Sequence, residues 1–204
     1  MTNVIDITLE QLDGLTKTLL GQMRSSRFEP DVIIFIETGS RLLASSMHKA
    51  TRIPAFSLTI QRSGNSTKAR ISSLLSLLPV FLQNFLRQVE RALNLHSSNA
   101  RKIAAAPTID LSQKKILILD DAADSGQSLL TAKKWAMDNG APETEIKLAT
   151  VTVTQPKAME IVDFWIHNRL CRFPWSSDSR EKEEYQKIYE QVDTEKLAAG
   201  SLRF

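Results

Sequence analysis

The sequence predicts an α/β protein: a mostly parallel sheet flanked by helices, with a helical insert and a short β tail. Two stretches carry that prediction. Val32–Ile36 and Ile116–Leu119 are unbroken apolar runs that stop at acidic residues, and each is followed by a Ser/Gly turn and a segment with helical spacing. A third stretch, Ile146–Val153, is rich in β-branched residues and follows the second of those helices, so strand, helix and strand form a parallel crossover.

At 204 residues, 42% hydrophobic and 24% charged, the chain is long enough for one buried core and short for two. We therefore expect a single domain over 1–204, with a basic and helical insert over 61–115 and a separate tail over 154–204.

Along the chain, Thr8 is placed to cap a helix with Gln11 three residues on, and Leu9, Leu12, Leu15, Leu19, Leu20 and Met23 form one apolar stripe up to about Arg24. Such a stripe covers a core. Pro30 and Asp31 introduce the strand Val32–Ile36, which ends at Glu37, Thr38, Gly39 and Ser40 before a helical run from Arg41 to about Ala50. Ala55–Ile60 reads as a further strand. From Gln61 to Lys115 the only acids are Glu90 and Asp110 among many Lys and Arg residues. The polar stretch from Arg62 to Arg70 reads either as a lid or as a solvated basic loop. Residues 71–95 are too apolar for an exposed loop, and Pro79 breaks or kinks them, so their surface is buried in the core or at a dimer interface. His96 to Pro107 reads as a connector.

The stretch KILILDDAADSGQS, Lys115 to Ser128, carries the chemistry. Gly126 permits a tight bend, and the N–H groups of Ser125, Gly126, Gln127 and Ser128, with the amino end of the helix that follows, form a concave donor set suited to a phosphate. The adjacent carboxylates Asp120 and Asp121 suit vicinal ribose hydroxyls or a hydrated Mg²⁺. The helix runs to Gly140, and the strand Ile146–Val153 brings Thr154, Gln155, Pro156 and Lys157 to the same sheet edge. Val162–Ile166 and Leu170–Phe173 read as short strands, and Ser179 caps a charged helix, Arg180 to about Val192, that reads as a solvated surface. The last dozen residues read as loosely held.

ILILDDAADSGQS resembles the phosphoribosyl pyrophosphate (PRPP) loop of type I phosphoribosyltransferases: four apolar residues, two acids, small residues, a third acid, Ser/Thr-Gly, any residue, Ser/Thr. The resemblance implies that Asp120, Asp121, Ala122, Ala123, Asp124, Ser125, Gly126, Gln127 and Ser128 bind the ribose phosphate. It also implies Mg²⁺ as cofactor at Asp120 and Asp121, with Asp124 as general acid/base. Thr38, Gly39, Ser40, Arg41 and Arg62 would receive pyrophosphate, although the family's usual basic residue and glycine stand here as Thr38 and Gly39. The tail ending Phe173-Pro174-Trp175 is similar to that of purine and xanthine-guanine-type enzymes. Aligned on it, Leu170 and Cys171 occupy base-contacting positions, with Gln155 and Lys157 at the exocyclic oxygen; Trp165 or Phe173 can replace the stacking aromatic that Leu170 lacks.

The expected activity is transfer of 5-phosphoribosyl from PRPP to a purine-like base with release of pyrophosphate. The alternative is a weak or inactive relative that binds PRPP or a nucleotide as a regulatory or assembly protein. Two other uses of such acids fit less well. In phosphorelay receivers the acidic pair stands near the chain start, and D-D-x-x-D terpene enzymes carry it on a helix of an all-α protein, whereas here a strand precedes it.

A net charge of +3 suits polyanionic ligands without implying nucleic acid. The single Cys171 excludes an internal disulfide framework and fits a reducing cytoplasm. No signal peptide and no membrane-spanning run are expected. A homodimer is the expected assembly.

Overall fold

The computed structural model describes residues 4–37, 39–62 and 101–199. Thr38, the side chain of Arg62 and the whole of 63–100 lie outside the described residues, and with them the lid and interface readings of the insert.

In chain order the elements are β1 (Ile5–Asp6), α1 (Leu12–Ser25), β2 (Val32–Glu37), α2 (Arg41–Thr51), β3 (Ala55–Arg62), β4 (Arg101–Ala105), β5 (Ile116–Ala123), α3 (Gln127–Asp138), β6 (Ile146–Val153), α4 (Pro156–Ile161), β7 (Phe164–His167), β8 (Cys171–Arg172), α5 (Lys182–Gln191) and α6 (Thr194–Ala198). Among the described residues, the main sheet has the order β4-β3-β2-β5-β6-β7, parallel throughout except for the antiparallel β3–β4 edge. β1 and β8 form a separate parallel pair. This is the type I phosphoribosyltransferase-like α/β architecture expected.

The apolar runs are continuous because both faces of the central strands are covered. Ile33, Phe35, Leu117 and Leu119 point into a core shared with α1 and α2, while Ile34, Ile36, Ile116 and Ile118 point into a second core shared with α3. Each such side chain removed from water contributes about 1.5–3 kcal/mol. The helices end as their sequences require. Arg52 caps α2 in the left-handed region at φ 64°, just before Pro54. At the end of α3, Gly140 has φ 97°, and a Cβ there would meet the Ser112 side chain.

Several expectations are corrected. β5 does not stop at Asp120: Asp120, Ala122 and Ala123 continue pairing with Thr150, Thr152 and Val153, so the acids sit on the last rungs of a strand. Residues 101–105 are a strand, not a connector. They form a sheet edge with mostly exposed side chains, so backbone pairing to β3 holds them and no apolar alternation marks them. α1 begins at Leu12, and Gln11 Oε1 accepts from the Thr8 N–H at 3.0 Å. α5 is not simply solvated, because Tyr185 is buried in the first core. The end of the described chain is held too: the Asp193 carboxylate caps α6, whose Leu197 is buried.

Candidate functional site

The carboxyl ends of β2, β5 and β6 and the β7–β8 turn surround a cavity of about 970 Å³. Open α/β sheets place ligands at this edge.

The first wall is the β5–α3 segment, and Asp120 through Leu129 all line the cavity. Asp120 is buried, and its Oδ1 accepts from the Asp121 N–H at 2.9 Å. Burial, and then the neighbouring Asp121 charge, push its carboxyl well above the usual range; Arg101, also on the cavity wall, acts in the opposite direction. Asp121 Oδ1 accepts from the Ala122 N–H at 2.8 Å, and its Oδ2 accepts from the Trp175 indole N–H at 2.5 Å. Asp124 is exposed, with Oδ1 accepting from Thr154 Oγ1 at 2.8 Å and Gln155 Nε2 at 2.7 Å. Gly126 turns the chain at φ 73°, the left-handed region that favours glycine, and a Cβ there would have to displace the end of the Ile161 side chain. α3 starts at the next residue, with its first-turn N–H groups at the cavity.

The second wall is narrower. Ile36, Glu37 and Gly39 line it. Ser40 is buried and donates its hydroxyl to the Ile36 carbonyl instead of capping α2. Arg41 pairs with Glu37 Oε1 through Nε at 2.6 Å and through a terminal nitrogen at 2.5 Å, and its guanidinium lies 3.9 Å from the centre of the Tyr189 ring. Ser40 and Arg41 are therefore not among the cavity-lining residues, while Gly39 is.

The third wall comprises Thr154, Asn168, Arg169, Leu170 and Trp175. Thr152 Oγ1 holds the β7–β8 turn by donating to the carbonyls of Arg169 at 2.5 Å and His167 at 3.2 Å. Leu170 is 55% exposed on the cavity rim. Cys171, by contrast, is buried, and burial pushes its thiol above the ordinary value. Gln155 is engaged with Asp124, Lys157 is exposed on α4, and neither lines the cavity. Trp165 and Phe173 do not line it either; among the described residues Trp175 is the aromatic that does.

Sequence reasoning passed over Asn168, Arg169, Arg101 and the cavity role of Trp175. Asn168 and Arg169 sit in a polar turn between two short strands, a pattern that marks a turn without marking a site. Among the described residues, no group of three or more His, Cys, Asp or Glu side chains is arranged to hold a metal ion. Nor is any helix among them long and apolar enough to cross a membrane.

The sequence matches the phosphoribosyl transferase domain family over residues 8–174. No protein with curated annotation matches it. Among solved structures it is similar to a purine phosphoribosyltransferase from Pyrococcus horikoshii Ot3, at 20% identity and TM-score 0.59 over 85% of this chain and 94% of that one. It is similar to a Helicobacter pylori xanthine-guanine-hypoxanthine phosphoribosyltransferase at 16% identity and TM-score 0.60, over 92% of this chain and 99% of that one. A hypothetical protein from Neisseria gonorrhoeae with bound ppGpp aligns at 16% identity and TM-score 0.60, over 94% of this chain and 98% of that one. At these identities the structures share the fold, and the family match carries the assignment: the chain belongs to the phosphoribosyltransferase family, enzymes that transfer a phosphoribosyl group.

Proposed function

We propose that this enzyme transfers 5-phosphoribosyl from PRPP to a purine-like base and releases pyrophosphate. The carrying observation is the unbroken cavity wall from Asp120 to Leu129, which sets carboxylates at one end and the amino end of α3 at the other. Backbone N–H groups of Ser125, Gly126, Gln127 and Ser128 suit the 5′-phosphate, and Asp120 and Asp121 suit the ribose hydroxyls, with Ala122 and Ala123 keeping the wall low between them. The base lies toward Asn168, Arg169 and Leu170, beside Asp124. As the base nitrogen bonds to the anomeric carbon, the carbon–oxygen bond to pyrophosphate breaks, the electron pair leaves with pyrophosphate, and the base N–H proton passes to Asp124. Thr154 and Gln155 hold that carboxylate in place. Because Arg41 is engaged by Glu37 and Ser40 is buried off the cavity, pyrophosphate is assigned to the backbone at Gly39.

The donor set fits Mg²⁺. Two adjacent carboxylates, one pushed toward its neutral form by burial and then by the charge of the other, are what a divalent cation stabilises, and a pair without a third ligand among the described residues suits an ion held largely by its substrate. When bound, Mg²⁺ neutralises charge on the departing pyrophosphate.

The purine preference is supported by the named neighbours from P. horikoshii and H. pylori and by the similar tail ending Phe173-Pro174-Trp175. A single domain over 1–204, a homodimer and a cytoplasmic site of action complete the proposal, supported by chain length, the apolar 71–95 segment and the lone cysteine. The test is a pyrophosphate-release assay with PRPP, Mg²⁺ and a panel of purine and pyrimidine bases. Release with purines and not with pyrimidines is expected; tight PRPP binding without release from any base overturns turnover.

A further inference from the structure

The family match ends at Pro174, yet the next residue reaches the centre of the site. Trp175 donates its indole N–H to Asp121 Oδ2 at 2.5 Å. A Cβ on Gly39 would collide with both the Asp121 carboxylate and the Trp175 indole nitrogen, so the β2–α2 loop, the end of β5 and the tail meet at one point. Behind that point stands a row of rings. Phe173 stacks on Trp175 with centroids 4.8 Å apart and planes 10° apart. Tyr185 lies 5.3 Å from Trp175, and Tyr189 lies 5.5 Å from Tyr185. The row ends under the Arg41 guanidinium, 3.9 Å from the Tyr189 ring centre, and Arg41 is itself paired to Glu37 on the second wall. Helix α5 thus packs behind the site at two points one turn apart, through Tyr185 against Trp175 and through Tyr189 under Arg41.

We propose that Trp175 is a positioning residue of the phosphoribosyl site, braced by α5, which fixes the Asp121 carboxylate in one orientation against Gly39. The inference rests on the reading of Asp121 as a ribose or metal ligand. One oxygen of Asp121 is held by the Ala122 N–H and the other by the indole, so the carboxylate plane is set before the donor arrives. A charge-assisted hydrogen bond of this kind is directional, and the stack on Phe173 together with the tilted contact with Tyr185 keeps the indole from turning away.

The test is a double-mutant cycle read by titration calorimetry of PRPP with Mg²⁺. Trp175→Phe keeps a ring in the stack and deletes the N–H. We expect it to weaken PRPP binding about tenfold in the otherwise unaltered chain and less than twofold in the Asp121→Ala background. An equal loss in both backgrounds makes Trp175 merely structural and overturns the inference. Unchanged affinity in Trp175→Phe also overturns it, leaving the proposed function standing if Asp121→Ala still weakens binding. If neither substitution matters, both the inference and the role of Asp121 fall. Should Trp175→Phe not fold, the indole N–H resonances of the unaltered protein decide, with Trp135→Phe and Trp165→Phe assigning the other two. The Trp175 signal is expected to shift on addition of PRPP; a fixed signal overturns the inference.

Discussion

The β2–α2 and β5–α3 segments share one form, an apolar strand that ends in an acid, a turn with glycine and serine, and a helix, yet they meet the cavity differently. In β5–α3 every residue from Asp120 to Leu129 lines the cavity. Its acids accept from backbone and from residues of other segments, leaving the small residues and the helix amino end facing the open space. In β2–α2 two polar side chains turn into the wall itself: Ser40 to the Ile36 carbonyl, Arg41 to Glu37 and Tyr189. Only Ile36, Glu37 and Gly39 of the described wall reach the cavity. The same supersecondary unit is therefore an open cavity lining or a braced wall according to where its polar groups find partners.

The widest break in this comparison should come from Asp124→Asn. It removes a proton acceptor from the open loop while leaving an exposed, hydrogen-bonding side chain. Pyrophosphate release should fall by roughly 10²–10⁴-fold with PRPP affinity and melting temperature little changed. Arg41→Ala should do the reverse. It strands the Glu37 carboxylate, whose side chain is 8% exposed and whose Oε2 has no hydrogen-bond partner among the described residues, and should lower stability in urea by about 2 kcal/mol. PRPP affinity should stay within about threefold, since the guanidinium is engaged inside the wall; a large affinity loss without destabilisation would assign Arg41 to pyrophosphate.

The two glycines sharpen the contrast further. Gly39→Ala pushes a methyl into Asp121 and Trp175, so calorimetry should show PRPP binding weakened about tenfold. Gly126→Ala forces a left-handed alanine against Ile161 and should cost about 1 kcal/mol or slightly more in a urea titration.

Much of this was legible because it is local. The β5–α3 chemistry lies in one contiguous stretch, so strand, carboxylates, glycine and helix start are read in order from Ile116 to Ser128. The apolar runs of β2 and β5 announce burial on both faces by themselves. The misses have two causes. β4 is an edge strand whose exposed side chains carry no alternation, so only its pairing with β3 defines it. On α5, Tyr185 and Tyr189 sit four apart within a highly charged sequence, and a narrow aromatic stripe of that kind says nothing of what it packs on until Trp175 and Arg41 are brought against it.

By itself the sequence determined the central strands, the crossover between β5 and β6 and the glycine turn before α3, because periodicity and turn chemistry act between near neighbours. Tertiary structure alone decided that Asp121 answers to Trp175, Asp124 to Thr154 and Gln155, and Arg41 to Glu37 and Tyr189. Except for the Arg41–Glu37 pair, these partners lie far apart along the chain. A side chain's hydrogen-bonding choice depends on every polar group the fold brings within about 3 Å, a condition no local pattern encodes.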